Sequence, residues 1–265
     1  IDAAKVEDAD EFAHVYLGEP RQDDDGSIIK RSWIMAAIDA HKALGFQPTG
    51  RKRLGFDIAD SGNDKCATVY AHGSVALELD EWKASEDELL KSCSRAYRQA
   101  ANHRAGITYD SIGVGASAGA KFGEINETVP PRDRLEYSKF NAGGAVWKPD
   151  EMYAHNVTNR DMFANIKAQA WWMLADRFRN TFNAVHHGQK FPLDELISIS
   201  GDLPHLEQLI DELSTPKKDY DNTGRVKVES KKDLAKRDVA SPNIADAFVM
   251  AFAPEVREEW GAVYL

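Results

Sequence analysis

The sequence predicts an α/β fold, a mixed sheet flanked by helices with an auxiliary β-hairpin, and three observations carry that expectation. Leu54, Phe56 and Ile58 alternate with Gly55, Asp57 and Ala59, the period of a strand. Two more strand-like runs follow, Cys66 to His72 and Val75 to Trp82, joined at Gly73-Ser74 as an antiparallel meander. A helical segment then leads to a short apolar strand, Ile107 to Asp110, and a strand–helix–strand crossover of this length favours parallel pairing with an earlier strand. If that partner is the Asp57 strand, both carboxylates lie near the carboxyl edge of the sheet, where open α/β sheets place their sites. Finally, Ser241 to Phe252 reads as a helix that is apolar nearly all round, which implies burial on both sides.

Size and composition bound the problem. The chain has 265 residues, 43% hydrophobic and 29% charged, the make-up of a globular protein with a real core. No apolar run approaches the roughly 20 residues that span a bilayer, so a membrane protein is not expected. Cys66 and Cys93 are too few for a disulfide framework or a zinc site. The net charge of −10 argues against a generic nucleic-acid coat, though not against local basic patches around an acidic site. The chain begins with Ile1 and an acidic segment, so a fragment of a longer polypeptide is expected. Residues 1–50 read as a lead-in, 51–254 as the main domain and 255–265 as a tail.

Within the lead-in, Val6 to Tyr16 and Arg31 to Leu44 read as helices on either side of an acidic turn, Asp23-Asp-Asp-Gly26. After the meander, Ser85-Glu-Asp-Glu88 is a capping box, and Leu89, Cys93, Ala96, Tyr97 and Ala100 form one buried helical face, making Cys93 a core thiol. A helix from about Lys121 to Glu127 follows a glycine-rich stretch. Residues 130–158, with Pro130-Pro131, Gly143-Gly144 and Pro149, read as a long loop. Thr158 to Asp161 is expected to cap a long helix to about Ala184, and Pro192 to Leu213 to form two short helices. Asp221-Asn-Thr-Gly224 between two short polar runs is a hairpin signal. In the last helix Ser241 reads as the N-cap and Pro242 as the first helical residue, with Pro254 just beyond the end.

The chemistry centres on Asp57, Asp110 and Asp246, two on apolar strands and one on an apolar helix. A single such residue is most simply a paired or capping Asp. Three in elements the topology can bring together point to a shared metal site, because a buried carboxylate is costly unless it pairs or binds a cation. Carboxylates with water are the preferred ligands of Mg²⁺ or Mn²⁺, and two such ions can activate water and stabilise the leaving oxygen in phosphodiester hydrolysis. Asp60 and Asp64 are reserve ligands, and equally turn residues. The glycines of Gly113-Val-Gly-Ala-Ser-Ala-Gly119 fit neither phosphate-loop nor dinucleotide spacing, leaving a close-approach loop. None of the eight histidines has metal-type spacing, and His186-His187 reads as a solvated pair at a helix end. A basic cluster from Lys217 to Arg237, including Arg225, Lys227, Lys231 and Lys232, surrounds the hairpin and suggests phosphate contact. Arg51-Lys-Arg53 sits similarly before the Asp57 strand.

With these pieces assembled, the chain resembles the C-terminal nuclease domain of tailed-phage terminase large subunits, which has a ribonuclease-H-like fold. Gly55-Phe-Asp57-Ile-Ala-Asp-Ser-Gly-Asn-Asp64 is similar to the family's first strand and turn, and Tyr109-Asp110-Ser-Ile-Gly-Val-Gly115 to its central strand and glycine loop. Asn165-Ile-Lys-Ala-Gln-Ala-Trp-Trp172 is similar to its long helix. Ser241-Pro-Asn-Ile-Ala-Asp246-Ala is similar to its closing Ser-Pro-Asp-x-Ala-Asp-Ala, with Asn243 in place of the usual Asp. Val15-Tyr-Leu-Gly-Glu19 and Trp33 to Ala40 look like the segment joining motor to nuclease.

The resemblance implies an endonuclease that uses two Mg²⁺ or Mn²⁺ ions to cut concatemeric double-stranded viral DNA during packaging. Asp57, Asp110 and Asp246 would carry the metals, with Asp64 as an auxiliary acid, and Arg225, Lys227, Lys231 and Lys232 would contact DNA. It further implies an N-terminal packaging ATPase in the full-length protein, a portal protein and a small terminase subunit as partners, and the infected host's cytoplasm as the location. A junction resolvase or integrase-like nuclease of the same fold is the nearest rival, since fold alone does not fix function. A non-catalytic docking module of the motor is the rival from another class.

Overall fold

The computed structural model describes residues 26–59, 65–84 and 88–254. Two short helices lead, α1 (Arg31–Ala37) and α2 (Ala40–Leu44), followed by strands β1 (Lys52–Asp57), β2 (Cys66–His72) and β3 (Val75–Trp82). Helix α3 (Leu89–His103) crosses to β4 (Gly106–Asp110), then come α4 (Ala118–Thr128), β5 (Tyr137–Phe140), a two-stranded turn of β6 (Met152–Ala154) and β7 (Val157–Thr158), and α5 (Asn159–Met162). The long α6 (Ile166–His187) precedes β8 (Ser198–Ile199), α7 (Leu206–Ser214), the hairpin β9 (Lys218–Tyr220) and β10 (Val226–Val228), α8 (Lys231–Lys236) and the closing α9 (Asn243–Phe252).

Six strands form one sheet in the order β5-β4-β1-β2-β3-β8. The meander β1-β2-β3 is antiparallel, and β4 pairs parallel with β1 in the register Phe56 to Tyr109, so both strands end at the same edge. The strand period divides the core. Leu54, Phe56, Cys66 and Tyr70 pack with α3 and α4, whereas Ala67, Val69, Ala71 and Leu79 pack with α1, α6, α7 and α9. Gly55 belongs to the second face. A Cβ there would fall 1.9 Å from Ala247 O and 2.5 Å from Ala251 N. Only glycine lets α9 lie directly on β1.

Several local expectations are corrected. Residues 130–158 are not one loop: β5 forms a parallel edge strand against β4, and β6 pairs with β7. Four residues with only Phe140 buried carry too little pattern to be read alone. Residues 31–44 split into α1 and α2 where Ile38 bridges to Ile199 and Asp39 takes a positive φ of 52°. The two helices expected between 192 and 213 are present, the first as a single 3-10 turn, Leu193–Glu195, but the unexpected β8 lies between them and extends the sheet beside β3. The long helix begins later, at Ile166, because Phe163 is buried and bridges to Val226, and Asn165 supplies the N-cap by accepting from Ala168 N at 2.9 Å.

At α9 the expected Ser241 cap is absent. Pro242 has φ −82° and ψ 64° and precedes the helix, which starts at Asn243. The Glu212 carboxylate, from α7, instead accepts from Ala245 N at 3.0 Å. A buried helix end thus takes its anion from another element, favourable at the positive end of the helix dipole. Cys66 and Cys93 are both buried and free, and burial pushes the Cys93 thiol up to about 11. His186 and His187 are exposed at the end of α6.

Candidate active site

Asp57 is the last residue of β1 and Asp110 the last of β4, and the parallel register sets these ends side by side. Asp246 lies in the first turn of α9, the helix that Gly55 admits to the sheet. Asp57 is 5% exposed and Asp246 9%, so neither is a solvated surface acid. All three line one cavity of about 20 Å³, closed by Phe140, Ala142, Trp171, Val249 and Met250 and entered by Lys167. That is room for one water-sized body.

Lys167 Nζ, from the first turn of α6, donates to Asp246 Oδ1 at 2.8 Å, and Lys231 Nζ stands 3.6 Å from Asp246 Oδ2. Lys167 comes from α6 itself, and Lys231 follows the hairpin, which is held to the start of that helix. Ala164 N donates to Val226 O at 3.0 Å, fixing β10 against the start of α6, and Ser230 caps α8 so that Lys231 opens it. Asp110 is turned by accepting from Ile112 N at 2.9 Å. The glycine loop then folds back on the strand end: a Cβ on Gly115 would fall 1.9 Å from Asp110 O. The close approach is therefore to the chain's own backbone at Asp110.

Burial pushes the Asp57 carboxyl up to about 8, with repulsion from Asp246 and, less, Asp110 adding to it and Lys231 and Lys167 opposing it. Burial also raises Asp110, against the hydrogen bond from Ile112 and with Asp246 adding to the rise. Burial beside two more carboxylates disfavours the charged form of Asp57, and the two lysines offset this only in part.

The donor set fits a hard divalent cation, being oxygen only and carboxylate only. A second observation agrees: Trp171 lines the cavity and its buried Nε1 has no hydrogen-bond partner among the described residues, leaving a donor for an oxygen placed there. Among the described residues, no group of three His, Cys, Asp or Glu side chains is set to hold a metal ion as they stand. The shared cavity and the mutual repulsion of the acids weigh more, because Lys167 already draws Asp246 to itself.

Asn243 completes the site. With its amide nitrogen turned inward it donates to Asp57 Oδ2 at 3.3 Å and to Ser241 Oγ at 2.8 Å, while its oxygen accepts from Lys65 N at 3.2 Å. Of the residues expected to contact DNA, Lys231 is at the site. Lys227 pairs with Asp219 at 3.0 Å and Arg225 with Asp221 at 2.8 Å, both within the hairpin, and Lys232 is exposed. Asp60 and Asp64 lie outside the described residues, as do Val6 to Tyr16, Val15 to Glu19, the acidic turn before Gly26, Ser85 to Asp87 and the 255–265 tail. Lys167, Trp171, Asn243 and Glu212 were not predicted. Asn243 had a signal as the departure in the closing motif, and Lys167 and Trp171 lay within the Asn165–Trp172 stretch that resembles the family's long helix, though without an assigned role.

A family model for the terminase RNase H-like domain matches residues 85–254, well over half of the chain. The chain belongs to that family. The terminase fold is also that of solved relatives. The nuclease domain of the large terminase subunit gp2 of bacterial virus Sf6 is 29% identical with a TM-score of 0.80, the match covering 87% of this chain and 100% of that one. A mutant of the same domain with manganese and beta-thujaplicinol matches equally well, at 28% identity, 87% and 100% coverage and a TM-score of 0.80. The large terminase nuclease from thermophilic phage G20c with bound cobalt is 11% identical, with a TM-score of 0.51 over 86% of this chain and 97% of that one, a likeness of fold alone. No curated protein sequence matches the chain. Among the described residues of this terminase domain, no helix is long and apolar enough to cross a membrane.

Proposed function

We propose that this terminase domain is a divalent-metal-dependent endonuclease that cuts double-stranded viral DNA during genome packaging. The observation that carries the reading is the convergence of Asp57, Asp110 and Asp246 on one small cavity, where burial and the neighbouring acids raise the Asp57 carboxyl. These three residues would hold two Mg²⁺ or Mn²⁺ ions once Lys167 swings out of a cavity that admits one water-sized body as it stands, with Asp64 as an auxiliary ligand, and the relatives solved with manganese support that choice. Bound there, such ions supply an activated water and stabilise the departing oxygen of the phosphodiester.

The chain's own residues do the rest. Asn243 orients the Asp57 carboxylate, and Lys167 and Lys231 fix Asp246 while bringing positive charge to where a phosphate must sit. Trp171, Phe140, Val249 and Met250 wall the acids from bulk water. The basic side chains beside the site suit phosphate contact, which carries no sequence information, so weak sequence preference is expected. The hairpin lysines and Arg225 contact the duplex beside the site. Replacing Lys227, Lys231 and Lys232 by Glu, with neither cleavage nor DNA binding reduced, would remove them from that role.

In the full-length protein, residues 1–50 lead in from a packaging ATPase, and the domain acts on concatemeric DNA in the host cytoplasm with a portal protein and a small terminase subunit. The deciding experiment is plasmid nicking with Mg²⁺, Mn²⁺ or chelator, using wild type and Asp57→Ala. Cutting that needs the ion and vanishes in the variant supports the nuclease. No ion-dependent cutting, or cutting unchanged by the substitution, overturns it.

A further inference from the structure

At the opposite edge of the sheet, where β1 and β4 begin, lies a cavity of about 630 Å³. Arg51, Lys52, Arg104, Arg132 and Arg134 line it, against two acids, Asp133 and Glu136, in a chain whose net charge is −10. Glu136 is tied to Arg51 at 2.9 Å, and Asp133 lies 3.6 Å from Arg132. Lys52, Arg104 and Arg134 have no ion-pair partner among the described residues. Five cations gathered in a concavity, with most of their charge uncompensated, make an anion site.

The cluster is also built rather than scattered. Arg104 sits in the left-handed region, φ 54°, at the C-terminus of α3, a position where glycine is the usual and less strained choice. The loop carrying Arg132 and Arg134 is fixed at both ends. Pro130-Pro131 open it, and Asn126 clamps Leu135 by two 3.0 Å hydrogen bonds while accepting from Tyr97 Oη at 2.6 Å. Ile107 N donates to Glu136 O at 2.9 Å, locking the loop to the strand. The arginines therefore reach the cavity rim from pre-ordered backbone, which lowers the entropy cost of binding.

We infer that this cavity is a second DNA contact, binding the phosphodiester backbone at the sheet edge opposite the carboxylates. The inference rests on the reading that the domain acts on DNA. Guanidinium forks match phosphate oxygens in charge and geometry. The strand from Lys52 to Asp57 spans roughly 16 Å, less than one helical turn of duplex, about 34 Å. Lys52 and Asp57 alternate onto opposite faces of the sheet, so a duplex that reaches both ends must pass round the edge strand β5. The contact holds DNA without reading its sequence, and it leaves the cutting chemistry to the other edge.

The test uses the 265-residue chain carrying Asp57→Asn, in chelator, so that nothing is cut. Binding to a labelled duplex of roughly 30 bp, about three helical turns, is followed by fluorescence anisotropy across a salt series. Adding Arg104→Glu and Arg134→Glu should weaken binding at least roughly tenfold and lower the slope of log K against log salt by about 2. Arg104→Gly should lower the slope by about 1 while raising the melting temperature, an effect that misfolding cannot produce. Unchanged affinity and slope in the double variant overturn the inference. So does loss of binding to polyglutamate with DNA binding intact, which marks an acidic protein partner instead. If the arginine variants lose DNA but the wild type never cuts plasmid, this inference stands and the nuclease reading falls.

Discussion

The two ends of β1 hold charge in opposite ways. At its C-terminal end Asp57 is buried beside two more carboxylates, and burial and their repulsion raise its carboxyl against the pull of two lysines. At its N-terminal end Arg51 and Lys52 are accessible and join three arginines around an open cavity. A buried charge demands a specific partner in fixed geometry, whereas an exposed cluster attracts any polyanion at long range. Under the proposed function, one strand carries a reacting end and a holding end.

The largest effect should separate those ends outright. Asp246→Asn should leave the fold intact yet slow plasmid nicking by about 10³-fold or more, several kcal/mol of lost transition-state stabilisation. Lys52→Glu, on the same strand as Asp57, should leave the maximal nicking rate within about twofold and raise the DNA concentration needed to reach it. Next in size is Gly55→Ala, which forces α9 off the strand it lies on. We expect a loss of about 1–3 kcal/mol or more in urea unfolding, and lost cutting with it, because Asp246 moves with the helix.

The reacting end should also be sensitive to pH. Asp57 has its folded pKa raised to about 8 from an ordinary 3.8, so the folded state holds a proton that the unfolded state has released. Its stabilising contribution is complete below pH 4 and is lost progressively as pH rises towards 8. Metal-free protein should therefore melt at lower temperature as pH rises through that window, each kcal/mol moving the midpoint by about 2–4 °C. Asp57→Asn should flatten the profile. A smaller effect is expected from Asn243→Asp, which sets a fourth acid 3.3 Å from Asp57. It should tighten Mn²⁺ binding several-fold in calorimetry and lower the metal-free melting temperature.

The sequence made the reacting end legible and hid most of what surrounds it. Asp57 and Asp110 could be placed because each ends an apolar strand, and the helix between them dictates a parallel crossover. The Asp246 helix was readable from its apolar faces, but its cap was not: Glu212 reaches Ala245 from 33 residues away, and no local pattern records that. Strands β5 and β8 escaped because so short a segment becomes a strand only through the partner beside it. Lys167 and Trp171 have no diagnostic spacing and gain their place from the start of α6. The triplet Arg51-Lys-Arg53 read as one basic patch, yet strand alternation splits it, sending Arg53 to the carbonyl of Ala253 and Lys52 to the cavity.

The central claim is that Asp57, Asp110 and Asp246 form one cation site. Calorimetric titration of Mn²⁺ into wild type, Asp57→Asn and Asp246→Asn, each confirmed folded by its melting curve, tests it without relying on cleavage. Saturable binding to the wild type and at least roughly tenfold weaker binding in each variant are expected. Equal Mn²⁺ affinity in all three folded proteins would contradict it.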